Sequence, residues 1–347
     1  MPVAIINPKA RCRLPGPPLR GGIDRPGTAE QHYDCHRYGH HTQNKMGRIL
    51  VGTASWTDKS LIDSGRFYPA TAKTAEARLR YYAEQFPVVE VDSSYYAMPS
   101  IDNAQRWVER TPPGFEFDMK AFRLFTAHPT QPDVLPPDVQ KGLGDLVKKR
   151  IYYRDTPADI KNELWRRFRQ SIEPLAHAGK LRAVLFQFPS WFIAGRESFD
   201  HLLEIRERLP DQLIAIEFRN PSWFDGRHRY ATLKFERANQ MCNVVVDEPS
   251  DMPGSIPTVW AATNPKLAIF RLHGRNRDMW NKPGLTAASE RFNYEYTEPE
   301  LLDFHPHLRE LAVVAETVHV IFNVNFEDQG VRGARAMQQL LRGHESS

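Results

Sequence analysis

Glu217 and Arg219 stand two residues apart in the run Leu213–Asn220, and Arg271 and His273 repeat that spacing in Leu267–Gly274. Side chains alternate along an extended strand, so each pair shares one face. Ile214, Ile216, Phe218, Phe270 and Leu272 then fall on the other face, which suits packing against helices. A carboxylate, two guanidinium groups and an imidazole gathered on one side could hold an anion and move a proton. The same alternation sets Asp118 and Lys120 opposite Phe115, Phe117, Met119 and Ala121. It sets Glu90, Asp92 and Ser94 opposite Val89 and Val91. Gln187, Asp247, Asn323 and Asn325 are assigned to the same polar side in three further β-rich runs, with Gly52 and Ala54 leaving room beside them.

Three chemistries fit this set. In the first, which needs no metal or other cofactor, Glu217 is the general acid or base and His273 a second proton carrier. Lys120 and Asp92 complete the catalytic group. Arg219, Arg271, Arg275 and Asn276 bind an anionic or polar small molecule, and Gln187, Asn323 and Asn325 orient it. Trp56, Tyr95, Tyr96, Trp223 and Trp280 offer flat walls, although buried rim packing is the ordinary use of such rings. In the second, Glu217, Asp247 and His273 hold one divalent ion, as in sugar isomerases or abasic-site endonucleases. The single inward histidine fits that poorly. In the third, Arg123, Arg275, Arg277 and the aromatics bind single-stranded nucleic acid without catalysis.

Charge weighs against the third. Of the formal net charge of +4, all resides in residues 1–46, and the remainder has 39 groups of each sign. The body is therefore no general polyanion binder, and duplex DNA is not an expected partner. Neither G-x-S-x-G nor G-x-x-x-x-G-K-[ST] occurs, so neither a nucleophile elbow nor a P-loop is supported.

Eight β-rich runs must position these residues: Ile49–Trp56, Val88–Tyr96, Phe115–Phe122, Arg182–Pro189, Leu213–Asn220, Cys242–Glu248, Leu267–Gly274 and Val318–Phe326. Helical stripes separate many of them, with Thr74 and Ser100 as N-caps and Gly179 as a terminator. Eight βα units in one chain predict a closed (β/α)8 TIM barrel, with the site at the strand C-terminal ends. An open doubly wound sheet is the alternative, but no G-x-G-x-x-G follows the first strand. Four prolines between Glu248 and Lys266 predict a short or absent sixth helix, and Pro306 a kink or two pieces before the last strand. The long connections Arg123–Ala158 and Arg275–Thr297 would overhang the mouth.

The 347 residues divide into a basic extension, 1–46, expected to be disordered, and one barrel domain, 47–347. The extension has no apolar stretch of signal-peptide type, and the expected true start is Met46. Its Cys35, His36, His40 and His41 match no closed zinc spacing. Cys242 is the single cysteine of the body, so no disulfide framework exists there and a cytoplasmic setting is expected. No apolar run is long enough to span a membrane.

These runs resemble the YecE-like proteins, domain of unknown function 72. The resemblance rests on Val51-Gly52-Thr53-Ala54-Ser55-Trp56, Phe67-Tyr68-Pro69 and Val89-Glu90-Val91-Asp92-Ser93-Ser94-Tyr95-Tyr96 with Pro99-Ser100. It continues through Leu185-Phe186-Gln187-Phe188-Pro189, Glu217-Phe218-Arg219 with Ser222-Trp223, and Arg271-Leu272-His273-Gly274-Arg275-Asn276 with Trp280. Phe322-Asn323-Val324-Asn325 closes it, with Val324 where the family more often has Asn. The resemblance spans residues 47–343 and implies a TIM-type barrel. It implies no particular reaction.

Overall fold

The computed structural model describes residues 46–345 except 149, 251, 281 and 283–291. The readings made for residues 1–45, including the cluster at Cys35, lie outside the described residues. Eight parallel strands close into a barrel in chain order: β1 Arg48–Ala54, β2 Val88–Val91, β3 Glu116–Lys120, β4 Leu181–Gln187, β5 Ile214–Glu217, β6 Cys242–Asp247, β7 Ala268–Leu272 and β8 Thr317–Phe322. The helices are α1 Lys59–Ser64, α2 Ala75–Gln85, α3 Ile101–Glu109, α4 Pro137–Gly142 and α5 Ala158–His177. They continue with α6 Arg196–Arg208, α7 Gly226–Ala238, α8 Arg277–Trp280, α9 Glu298–Val314 and α10 Gln329–Glu345.

Local chemistry accounts for many of these boundaries. Thr74 and Ser100 accept the Ala77 and Asn103 N–H groups and so start α2 and α3. Thr297 and Glu300 form a reciprocal capping box on α9. Gly179, at φ 65°, turns the chain after α5. The proline-rich stretch between β6 and β7 forms no helix among its described residues, as its composition predicts. Pro306 does not divide α9, which runs through it as one helix. Leu301, Phe304, Leu308 and Leu311 are all buried along it, and that packing offsets the lost backbone bond.

Register assigns the faces. Glu90 pairs with Ala54 and Asp118, Gln187 with Glu217, and Ile269 with His319, so these residues line the interior. Thr53 points the other way, where its N–H donates to the Tyr82 hydroxyl of α2 at 2.9 Å. Gly52 is required where β1 meets β2, because a Cβ there would lie 2.0 Å from the Val88 carbonyl oxygen. β6 reverses one expectation. Ala215 pairs with Cys242 and Val246 with Arg271, which turns Cys242, Val244 and Val246 inward. Asp247, paired with Leu272, faces the helix layer instead.

Charge fills the barrel floor as well. His319 lies between Glu116 at 2.8 Å and Asp118 at 2.7 Å. Burial alone would lower its pKa, but the two carboxylates raise it to about 9. Arg48 reaches Glu116 from below at 2.7 Å. Asp118 and Lys120, though on the same face, do not pair: Asp118 serves His319 and Lys120 binds Asp92.

Glu236, near the end of α7, is fully buried and neither carboxyl oxygen has a hydrogen-bond partner. Burial holds its pKa well above 4.5. A carboxyl that prefers its proton when folded contributes most to stability below the unfolded value and loses that contribution as pH rises. Glu236→Leu is therefore expected to stabilise the protein at neutral pH, by about 1–3 kcal/mol, the cost of an unsatisfied buried polar group. The gain should shrink toward pH 4 in thermal unfolding.

Candidate functional site

The inward residues at the strand C-terminal ends form two tiers. In the lower tier Arg271 is fully buried and donates to two carboxylates at once. Its Nε and Nη2 meet Glu90 at 2.9 and 2.7 Å, and its Nη1 meets Glu217 Oε2. Gln187 Oε1 also accepts from Nη1, at 3.1 Å. The other Glu217 oxygen faces His273 Nε2 at 3.1 Å and Arg219 Nη1 at 3.2 Å. The Asn323 amide nitrogen lies 2.8 Å from His273 Nδ1, and with the amide donating the ring proton sits on Nε2 toward Glu217. Four strands thus converge on one guanidinium and one carboxylate.

These contacts separate the acids. Burial pushes Glu90 up to about 7 despite the opposing charge of Arg271. Burial acts the same way on Glu217, but Arg271, His273 and Arg219 together hold it well below the usual carboxylate range. Burial takes His273 down to about 3, against the pull of Glu217. Glu217 is therefore locked as an anion and His273 as a neutral ring. Of these groups, Glu90 is the one whose pKa falls near neutrality.

The upper tier is partly open. Lys120 Nζ binds Asp92 at 2.5 Å and sits 4.9 Å from the centre of the Tyr95 ring. Burial acts to raise Asp92, but Lys120 holds it below its ordinary value. Arg219 bridges to Glu248 at 2.9 Å and lies 5.4 Å over Trp280. Glu248 was missed by the alternation rule because β6 is apolar on both faces, leaving no pattern to assign it. Burial raises its pKa, opposed by Arg219.

Several expected site residues serve other purposes. Trp56 is buried against Trp107 of α3, with ring centres 5.5 Å apart. Alternation stops before it, since β1 ends at Ala54 and Ser55 takes a left-handed φ of 75°. Trp223 stacks on Phe218 at 3.9 Å and donates to the Phe192 carbonyl, so it is core. Asn276 spends its amide within its own loop, on the Asn293 carbonyl and the Met279 N–H. Asn325 lies beyond β8, and its carbonyl accepts from Ser60 at 2.6 Å. Arg275 does not reach the interior: it forks onto Asp247 at 2.7–3.0 Å and touches Glu300. Tyr296 closes that outer cluster by donating to Asp247 at 2.6 Å. Arg277 is exposed on α8, and Arg123 opens the helical turn Arg123–Thr126 that follows β3.

The same register does not bring the three residues of the alternative metal triad together. Glu217 and His273 touch, but Asp247 faces outward and is occupied by Arg275 and Tyr296. Among the described residues no group of three or more His, Cys, Asp or Glu side chains is disposed to hold a metal ion. No described helix is long and apolar enough to cross a membrane.

An eight-stranded parallel barrel with its polar side chains converging at the C-terminal ends defines a TIM-barrel protein with one candidate mouth site. Residues 50–347 match the family described as "Protein of unknown function DUF72", and the chain belongs to that family. It is 35% identical over 295 residues to UPF0759 protein YunF of Bacillus subtilis, covering 84% of this chain and 94% of that one. A crystal structure of a DUF72 family protein from Enterococcus faecalis matches with a TM-score of 0.69 and 29% identity, covering 85% of this chain and 95% of that one. One from Thermotoga maritima matches with a TM-score of 0.66 and 29% identity, covering 85% and 99%.

Proposed function

We propose that the protein is a metal-independent enzyme acting by acid–base chemistry on an anionic or polar small molecule at the C-terminal mouth of the barrel. The observation that carries this reading is the two-tier arrangement. Partly open cations, Lys120 and Arg219, stand above a closed layer whose Glu90 has a pKa of about 7. Lys120 and Arg219 bind the anionic group, with Asp92 and Glu248 restraining them until it arrives. Glu90 exchanges the proton. Arg271, Glu217 and His273 act as positioning residues, and Gln187 and Asn323 orient the ligand. The carboxylates and imidazole that a cation would need are already bonded to arginine and asparagine, which supports metal independence.

Calorimetric titration with sulfate, a dianion that does not titrate near neutrality, tests the binding half. Lys120→Met and Arg219→Gln should each weaken sulfate at least tenfold, measured at a temperature where circular dichroism shows the variant fully folded. Unchanged affinity in both would contradict the reading. A panel of phosphorylated and carboxylated small molecules tests the catalytic half, where Glu90→Gln should keep binding and lose turnover. The locking of Glu217 and His273 favours a second reading, a ligand-binding module without turnover, and binding with no turnover across the panel would select it.

A further inference from the structure

The connections after β3 and β4 form a groove that the polar residues of the mouth do not account for. It encloses about 560 Å³ and is lined by Tyr152, Trp191, Ile193 and Ala127, with Arg154 and Glu197 at its edge. That volume is within the range of small-molecule sites. Trp191 and Ile193 are 55% and 58% exposed, large apolar side chains left facing water on the groove wall. The long connection after β3 supplies Tyr152, and the turn after β4 supplies Trp191.

A chain of rings links this groove to the cations. Trp191 packs edge-on to His128 at 5.8 Å, and His128 to Tyr95 at 5.3 Å. Lys120 and Arg123 both lie over Tyr95, at 4.9 and 5.3 Å. Lys120 is paired with Asp92, whereas Arg123 Nε is buried and left without a hydrogen-bond partner among the described residues. Burial and these two cations hold His128 at about 4, so the histidine adds no charge of its own at neutral pH.

We infer that this groove is the second half of the ligand site. It takes the flat, apolar or sugar-like part of an organic anion whose charged group sits at the mouth on Lys120, with Arg123 as a further cation on the groove side of Tyr95. The inference rests on the reading of the mouth as an anion site and adds the class of molecule. Stacking on Trp191 and burial against Ile193 supply affinity that a bare anion cannot obtain.

The probes are sulfate and 1-naphthyl sulfate, titrated calorimetrically into the full chain and into Trp191→Ala, Arg123→Gln and Lys120→Met. Naphthyl sulfate is expected to bind at least tenfold more tightly than sulfate. Trp191→Ala should remove most of that advantage and leave sulfate unchanged. Arg123→Gln and Lys120→Met should weaken both anions. Equal affinity for the two anions, or naphthyl binding indifferent to Trp191→Ala, overturns the groove while Lys120-dependent sulfate binding leaves the mouth reading standing. Naphthyl binding that needs Trp191 but not Lys120 or Arg123 shows a bare apolar patch and also overturns it. Absence of binding by either anion removes both readings together.

Discussion

Arg271→Met is expected to be the most damaging single substitution in the barrel. The guanidinium is fully buried, and its loss leaves Glu90 without its paired cation and Glu217 with Arg219 alone. Removing one partner of a buried pair costs about 3–5 kcal/mol, and here one cation serves two acids. Glu90 would take up a proton to limit that cost. Urea unfolding should show the loss directly, as a lower midpoint with an unchanged slope. The triple variant Arg271→Met, Glu90→Gln, Glu217→Gln should recover a large part of it, because no buried charge is then unpaired. Stability close to wild type in Arg271→Met alone would mean that this layer does not hold the barrel together.

Glu90→Gln carries the second large effect, and its sign depends on pH. A folded pKa of about 7 lies above the ordinary 4.5, so the folded state binds the proton more tightly than the unfolded chain does. The stability Glu90 supplies is fully present below pH 4.5, declines as pH rises through about 7, and is flat beyond. At roughly 1.4 kcal/mol per pKa unit, the span amounts to about 3–4 kcal/mol. Glu90→Gln has no such proton to lose. The difference in stability, wild type minus variant, should therefore fall between pH 4.5 and 7 in thermal or urea unfolding. Glu236 and Glu248 bias the wild type the same way but are common to both proteins, so the subtraction isolates Glu90. A difference that does not change with pH would remove Glu90 as the near-neutral group.

Much of the framework was legible before any coordinates. All eight strands fall within or next to the β-rich runs, because branched and aromatic residues cluster there between capping and turn signals. The inward face was readable wherever one side of a strand is plainly apolar, as for β3, β5 and β7. It failed at β6, where Cys242 to Val246 is nearly continuous apolar sequence and a one-residue shift exchanges Asp247 for Glu248. It failed again at Trp56, where a left-handed Ser55 ends the alternation. Asn276, past a strand end, turns into its own loop for the related reason that loops follow no period. The proton assignments were out of reach in principle. Which of two carboxylates keeps a low pKa depends on how they share Arg271, and that is a property of the closed barrel.

One titration reaches the central claim, that the mouth binds anions above a carboxyl poised near neutrality. Sulfate binding is measured by calorimetry at pH 7 in buffers of different ionisation enthalpy, which gives the number of protons exchanged on binding. An anion beside Lys120 removes positive charge from the surroundings of Glu90 and raises its pKa further. Wild type should therefore take up about half a proton, the fraction vacant on a group with a pKa near 7, and Glu90→Gln close to none. Sulfate binding with no proton uptake in wild type, or with equal uptake in Glu90→Gln, would contradict the account.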